Sequence, residues 1–100
     1  MIRGSDRLER LIDREKGTFF EKQVWKALLR IRPGTVRTYG WIAGKIGKPK
    51  AARAVGNALK KNPLAPMVPC HRVIASNGIG GYAGGVEKKR RLLEREGVFL

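Results

Sequence analysis

The sequence holds a single cysteine and a single histidine among its 100 residues. One cysteine cannot form an internal disulfide, which is typical of proteins in a reducing compartment. A structural zinc site needs about four Cys or His ligands, so we expect no metal and no cofactor. No apolar run approaches the ~20 residues that span a bilayer, and the charged N-terminal stretch has no apolar block typical of a secretory signal. These absences predict a cytoplasmic protein without a membrane partner.

Acidic residues are also scarce. Eight Asp and Glu are outnumbered by 22 Lys and Arg, which gives a formal net charge of +14. Such a surface attracts polyanions, and nucleic acid is the commonest polyanion inside a cell. An anionic membrane surface and a thermophile's charge-rich exterior are alternatives, although thermophile surfaces usually mix both signs. An apolar content of 42% in 100 residues is that of one globular domain, so the charge favours a small nucleic-acid-binding domain.

Two helices are predicted before the first proline. The apolar spacing of residues 5–16 is that of a short amphipathic helix. Thr18 and Glu21 have the spacing of a capping box, which predicts the start of a second helix. An apolar stripe follows, and Pro33–Gly34 is predicted to end this second helix.

A helix-turn-helix pattern comes next. Thr38 is predicted to cap a brief helix over residues 39–46, which Gly47 ends. A further helix is expected over residues 49–61, with Pro49 in its first turn, where the missing N–H costs nothing. Two short helices joined by a tight glycine-containing turn are typical of DNA-binding units.

The rest of the chain combines irregular segments with one last helix. The prolines of residues 62–73 exclude regular helix there, and Met67 and Val68 are expected in short extended pieces against the core. Residues 86–96 are predicted to form a helix that ends at Gly97. The fold class is therefore mainly α: a small helical domain with a winged-helix-like helix-turn-helix unit and short extended segments around Cys70.

The helix predicted over residues 49–61 has two unlike faces. Its 3.6-residue period places one apolar set inward: Ala52, Val55, Ala58 and Leu59. The opposite face is basic or polar and carries Lys50, Arg53, Asn57 and Lys60. Small residues around Arg53 add almost no bulk, so this face can approach a DNA groove closely. A packing helix with a solvated basic face is the alternative.

The lone cysteine and the lone histidine are adjacent in the stretch PMVPCHRV, residues 66–73. A thiol reacts as its thiolate, and His71 is a base of suitable pKa to activate Cys70. Adjacent side chains diverge in an extended segment, so a water or a local turn would have to connect the two. Three acidic residues are candidates to orient the imidazole: Glu87, Glu94 and Glu96. A buried structural cysteine remains the alternative.

Several blocks combine into a family resemblance. The stretch PCHRV follows NP, AARAVGNAL and TYGWIAGKIG and precedes YAGG, and this order resembles the O6-alkylguanine–DNA alkyltransferases over about residues 17–97. The resemblance implies irreversible, single-turnover transfer of an alkyl group from O6-alkylguanine in double-stranded DNA to Cys70. It also implies a DNA-binding and active-site domain over residues 17–100. We expect a charged helical leader over residues 1–16 where the family has an N-terminal α/β domain.

The resemblance also implies roles for individual residues. Cys70 would accept the alkyl group, His71 would act on it as a base through a water, and Glu96 would orient His71. Arg53 would fill the space left by the flipped guanine, and Tyr39 would help to rotate the nucleotide and contact the base. Further DNA contacts are implied for Ala52, Ala54, Gly56, Asn57, Lys60 and Arg72.

The substrate pocket is the last part that the resemblance implies. Asn62 would brace the turn that carries Cys70, and Val73 would offer backbone contacts to the guanine edge. The pocket would be lined by Tyr82, Ala83, Gly84 and Gly85. Ala83 lies where some relatives carry a hydroxyl, so only a backbone donor is available at that position.

Two other functions fit the same residues less well. A non-catalytic, alkyltransferase-like lesion sensor would bind damaged DNA, but such relatives replace the reactive cysteine that this chain keeps as Cys70. A helix-turn-helix regulator with a structural or redox-sensing cysteine would usually act as a dimer. No dimerisation segment is visible, so a monomer is expected.

Overall fold

The computed structural model describes residues 4–100, so the first three residues of the predicted leader lie outside it. Within those residues the chain is mainly helical, with one small sheet, which confirms the predicted fold class. In chain order the elements are α1 (Gly4–Arg14), α2 (Phe19–Leu28), β1 (Arg37–Thr38), α3 (Tyr39–Lys45), α4 (Ala52–Lys60), a 3₁₀ turn (Cys70–Arg72), β2 (Val73–Ile74) and α5 (Val86–Arg95).

Helix α2 begins as predicted and ends earlier than predicted. The Thr18 hydroxyl accepts from the Glu21 backbone N–H at 3.0 Å, and the Glu21 carboxylate accepts from the Thr18 N–H at 2.9 Å. The helix ends at Leu28 rather than at Pro33. From Leu29 to Ile31 the backbone N–H groups bond to carbonyls three residues back, which tightens the chain into 3₁₀-like turns.

The predicted helix-turn-helix forms, but its second helix begins later than expected. The Thr38 hydroxyl accepts from the Trp41 N–H at 3.1 Å and caps α3, and Gly47 ends that helix with a positive φ of 76°. Helix α4 begins at Ala52, so the expectation that Pro49 lies in its first turn is wrong. Pro49 lies instead in a turn that the Ala51 N–H closes on the Lys48 carbonyl at 2.9 Å, a position that its fixed φ favours.

The core lies where α2 packs against α3 and α4. The Trp25 indole N–H donates to the Ala58 carbonyl at 2.9 Å, which ties α2 to α4 inside the core. Fully buried apolar side chains around this contact are Ile12, Val24, Leu28, Ile42, Val55, Val68 and Val73. Helix α1 therefore contributes to the same core through Ile12. The division at residues 16 and 17 stays a prediction.

The small sheet determines where the site lies. Strands β1 and β2 are parallel, with Arg37 opposite Val73 and Thr38 opposite Ile74. Because β1 leads directly into α3 and the 3₁₀ turn leads directly into β2, the pairing brings the start of α3 beside the turn that holds Cys70. Met67 is 60% exposed, which corrects its expected place against the core, whereas Val68 is buried.

Helix α5 closes the other side of the turn. Its last turn is completed by the Val98 N–H, which donates to the Leu93 carbonyl at 2.9 Å around Gly97. Leu93 and Lys89 are its buried positions, and Glu96 is its C-terminal cap residue. None of the helices in residues 4–100 has the length and apolar character needed to cross a membrane.

Candidate active site

A cavity of about 290 Å³ lies between α4, the start of α3 and the loop before α5. That volume is at the lower end of the range for small-molecule sites. Its lining includes eight residues that the sequence singled out: Tyr39, Arg53, Gly56, Asn57, Lys60, Cys70, Tyr82 and Ala83. Leu59 and Gly81 also line the cavity and were not among the residues expected there.

Cys70 opens the 3₁₀ turn at the edge of this cavity. Its residue is 5% exposed, and its N–H donates to the Val68 carbonyl at 2.9 Å. The Asn62 amide N–H₂ donates to the same carbonyl at 2.8 Å, and the Asn62 amide oxygen accepts from the Leu64 N–H at 3.0 Å. Asn62 thus spans the loop before Cys70. Met67 and Val68 lie in a turn rather than in an extended piece, and residues 70–72 form a helical turn, whereas the short extended segment expected after Cys70 forms as β2.

His71 lies behind Cys70 and contacts Glu96. Its Nε2 is 3.1 Å from Glu96 Oε2, and the residue is 2% exposed. An ionised carboxylate only accepts, so Nε2 carries the proton and Nδ1 is the basic atom of the neutral ring. Burial lowers the pKa of His71, although its hydrogen bond to Glu96 acts in the opposite direction. Nδ1 is buried and has no hydrogen-bond partner among the described residues, so it remains free to take a proton.

Arg72 lies beside His71 and binds the same carboxylate. Its guanidinium donates to both oxygens of Glu96, at 2.6 to 3.2 Å, and to the Ile31 carbonyl at 2.7 Å. Hydrogen bonding to Arg72 is the main reason that the pKa of Glu96 is lowered. The helical turn directs Arg72 inward, where its guanidinium is engaged by these partners, and the implied contact with DNA stays a prediction.

Lys89 is a further residue near the site that the sequence interpretation missed. It is fully buried, and its ammonium donates to the carbonyls of Val73 at 2.6 Å and Gly81 at 3.0 Å. Burial lowers the pKa of Lys89 to about 8, with Cys70 acting in the opposite direction. A signal existed, since Lys89 lies one helical turn before Leu93 on the inward face of α5.

Two tyrosines border the cavity. Burial, followed by the proximity of Cys70, raises the pKa of Tyr82 to about 12, so its hydroxyl keeps its proton at neutral pH. Tyr39 begins α3, and its hydroxyl lies against Gly80, where an added Cβ would be only 2.8 Å from the Tyr39 oxygen. Gly80 has a φ of 73°, so both its backbone conformation and the space beside it require glycine.

The exposed face of α4 forms the outer wall. Arg53, Ala54, Asn57 and Lys60 are exposed, and an added Cβ at Gly56 would meet no atom within 4 Å. No carboxylate within the described part of the chain forms a salt bridge with Arg53. Ala52 is half-buried and lines a neighbouring depression with Tyr39. The predicted inward residues Val55, Ala58 and Leu59 are buried.

Four residues of the implied substrate pocket lie outside the cavity lining: Asn62, Val73, Gly84 and Gly85. The Val73 carbonyl accepts from buried Lys89, and the Val73 N–H donates to the Cys70 carbonyl, so its backbone groups are already engaged. Gly84 and Gly85 form the turn into α5, where the Gly85 N–H donates to the Tyr82 carbonyl at 3.0 Å. These two glycines shape the loop that carries Tyr82 rather than the cavity wall.

Comparisons with known proteins agree with this geometry. A methylated-DNA–protein-cysteine methyltransferase of Mycobacterium tuberculosis is 57% identical over 82 residues, which are 81% of this chain and 50% of that protein. The crystal structure of Mycobacterium tuberculosis OGT in complex with DNA matches with a TM-score of 0.79 and 57% identity, over 81% of this chain and 51% of that one. The chain thus spans about half the length of these relatives.

In a third comparison, the match covers most of the length of the other protein. The crystal structure of S. pombe Atl1 in complex with damaged DNA containing O6-carboxymethylguanine matches with a TM-score of 0.73 and 40% identity, over 84% of this chain and 81% of that one. The sequence-family model for the DNA-binding domain of 6-O-methylguanine DNA methyltransferase matches residues 19–98 of this chain. The chain therefore belongs to the 6-O-methylguanine DNA methyltransferase family, through that family's DNA-binding domain.

Proposed function

We propose that this chain repairs double-stranded DNA by moving the alkyl group of an O6-alkylguanine irreversibly to the sulfur of Cys70. One observation carries the proposal. Cys70 borders a cavity whose outer wall is the exposed basic face of α4, and Cys70 is also next to the His71–Glu96 pair. A thiol, a base and a DNA-facing surface thus meet at one place. The relatives are named for this reaction.

The first step is activation of the thiol. The thiol proton passes to Nδ1 of His71 through a water, while Glu96 holds Nε2 on the opposite side of the ring. Adjacent side chains in a tight turn diverge, so a bridging water supplies the missing reach. Tyr82, which keeps its proton, offers a hydrogen bond to the sulfur as negative charge develops there.

The substrate must leave the base stack before it reaches the sulfur. Flipping a base out of a duplex costs a few kcal/mol, and a side chain that fills the vacated space offsets part of that cost. Arg53 has the exposure and the freedom from ion pairing that this role requires. The small residues Ala54 and Gly56 allow α4 to approach the groove closely, and Asn57 and Lys60 extend its contact surface.

The transfer itself is an in-line displacement at the alkyl carbon. The sulfur of Cys70 forms a bond to that carbon, the carbon–O6 bond breaks with its electron pair, and the guanine ring gains one proton. Tyr39 at the start of α3 contacts the base and donates this proton to it, and the proton taken up by His71 returns through solvent to Tyr39. The product is a thioether, which this site has no group to cleave, so each chain acts once. We propose that it acts as a monomer.

A DNA-side assay tests this function. The protein is mixed with a duplex that contains one O6-methylguanine, and the nucleosides are then counted after digestion. We expect one guanine restored for each chain, and none with Cys70→Ala, which keeps the DNA-binding face of α4. A duplex that stays methylated while the wild-type protein binds it would contradict the proposal.

That contradicting outcome is what a lesion sensor predicts. The match to S. pombe Atl1, whose crystal structure is a complex with damaged DNA, favours this function as the second candidate. It requires the same base flipping by Arg53 and the same cavity but no bond to Cys70. The presence of a thiol beside a neutral, oriented imidazole favours the reactive function over the sensor.

A further inference from the structure

The side chain of Arg72 joins three parts of the fold. Its Nε and Nη2 donate to the Glu96 carboxylate after α5, and its Nη1 donates to the Ile31 carbonyl after α2 at 2.7 Å. The side chains of Arg72 and Glu96 are only 14% and 16% exposed. Such a fork of parallel donors fixes the plane of a carboxylate more firmly than one ammonium does.

Arg72 and His71 share one carboxylate oxygen. Glu96 Oε2 is 2.6 Å from Arg72 Nη2 and 3.1 Å from His71 Nε2. The shorter contact is with the permanent cation, so much of the carboxylate charge is balanced before the imidazole is considered. Glu96 can then orient the ring without strongly favouring its protonated form.

We propose that Arg72 is the positioning residue of the base: it fixes Glu96 so that His71 presents an unprotonated Nδ1, and its charge keeps the imidazole neutral. The role in alkyl transfer rests on the proposed function, whereas the effect on the imidazole does not. Arg72 is not among the residues that line the cavity, so it acts through Glu96 and His71.

The charges around His71 support this assignment. Three charged groups act on the ring: Glu96 at the end of α5, Lys89 within α5, and Arg72 in its own turn. Burial lowers the pKa of His71 most, Glu96 raises it, and Arg72 and Lys89 lower it further. Loss of Arg72 removes one repelling cation and unbalances the Glu96 charge, and both changes raise the pKa of His71.

The single histidine makes the test direct. With one imidazole in the chain, its carbon-bound protons and ring nitrogens give one unambiguous set of NMR signals. We expect the titration midpoint to lie below the ordinary value in the wild type and to move to higher pH in Arg72→Met. Arg91→Met, which removes an exposed cation from α5, should leave the midpoint unchanged. An unchanged midpoint in Arg72→Met would overturn the proposal.

A wild-type measurement covers the case in which Arg72→Met does not fold. The ring nitrogen shifts at pH 7 should report a neutral imidazole with the proton on Nε2. An imidazolium or the Nδ1–H form at that pH would overturn the proposal without any variant.

Transfer rates give the second readout. In Arg72→Met the rate should fall about tenfold at pH 6 and recover in part at higher pH, because the base is protonated and loosely held, and displacements of about 1 Å can cost 10²-fold. Arg72→Lys keeps a cation without the fork, so its rate should lie between those of the wild type and Arg72→Met. Absence of transfer in the wild type would refute the proposed function alone, since the NMR titration still decides the role of Arg72.

Discussion

Arg53 and Arg72 carry the same guanidinium group in opposite environments. Arg53 extends from the exposed face of α4, with no ion pair to any described residue, whereas Arg72 is held by Glu96 and by the Ile31 carbonyl. A net charge of +14 marks the whole chain as a ligand for polyanions, but only cations of the first kind can serve that purpose. In the proposed function, the difference between the two arginines separates DNA recognition from preparation of the thiol.

The same division extends to the lysines. Lys60 lies exposed at the end of α4 and borders the cavity, whereas Lys89 is fully buried and donates to two carbonyls behind Cys70. Changes on the exposed face should therefore alter DNA binding and base flipping. Changes of the buried cations Arg72 and Lys89 should alter the stability of the fold and the pH dependence of stability and transfer. They should leave the salt dependence of DNA binding unchanged.

The largest effect is expected for Arg53→Ala. We expect it to slow transfer from duplex DNA roughly 100-fold, because part of a flipping cost of a few kcal/mol is no longer offset and each 1.4 kcal/mol is about tenfold. Transfer from the free O6-methylguanine base should be unchanged, since no stack has to open. Single-turnover rates on both substrates measure this, with Arg91→Ala as the control for lost charge. Equal slowing on both substrates would remove Arg53 from base flipping.

Lys89 should produce the next largest effect, in the pH dependence of stability. Its pKa is about 8 in the folded chain against an ordinary 10.5, so between these values the unfolded chain binds more protons. The free energy of unfolding should therefore rise by about 2 kcal/mol from pH 8 to pH 10. The neutral amine keeps two N–H donors for its two carbonyls, so both hydrogen bonds persist. Denaturant melts at each pH measure this. A rise of equal size in Lys89→Met would show that Lys89 is not its source.

Gly80→Ala should have a smaller effect on stability, through the contact between Gly80 and Tyr39. A Cβ there would lie 2.8 Å from the Tyr39 hydroxyl on a backbone with a φ of 73°, and we expect a loss of about 1–2 kcal/mol in the free energy of unfolding. Displacement of Tyr39 should also slow transfer. Gly78→Ala is the matched control, because its Cβ would meet no atom within 4 Å. Equal losses in the two variants would show that the Tyr39 contact has no effect.

The smallest effect is expected for Lys60→Ala. Loss of one phosphate contact should lower affinity similarly for all DNA sequences and reduce the slope of log K against log salt by about one. Arg72→Met should leave that slope unchanged, because its cation already has a carboxylate partner. Affinity titrations at several salt concentrations measure both. A reduced slope in Arg72→Met would return Arg72 to the DNA-binding surface.

Local signals in the sequence predicted local structure well. The capping box of Thr18 and Glu21 and the cap at Thr38 depend on residues three apart, and both form as expected. Pro49 shows the limit of such signals, since proline suits both the first turn of a helix and the second position of a turn. The length of the turn after Gly47 decided between them, and no neighbouring residue specifies that length.

The buried contacts of Arg72 and Lys89 could not be predicted from local signals. Arg72 contacts Glu96 and Ile31 across 24 and 41 positions of the chain. Its inward direction depends on a 3₁₀ turn, which the sequence did not predict because the prolines around Cys70 indicated irregular structure. Lys89 reaches Val73 across 16 positions, and lysine is rarely a fully buried residue. The family resemblance selected Glu96 among three acidic candidates, and the contact with His71 agrees with that choice.

The central claim is that Cys70 takes the alkyl group once and keeps it. Intact-protein mass spectrometry after incubation with a severalfold excess of duplex containing O6-methylguanine tests this directly, since the chain has one cysteine to map. We predict that every chain gains the mass of one CH₂ on the peptide holding Cys70, that the reaction then stops, and that Cys70→Ala gains nothing. Loss of the methyl group from the DNA without a mass gain on Cys70, or more DNA repaired than protein present, would contradict the account.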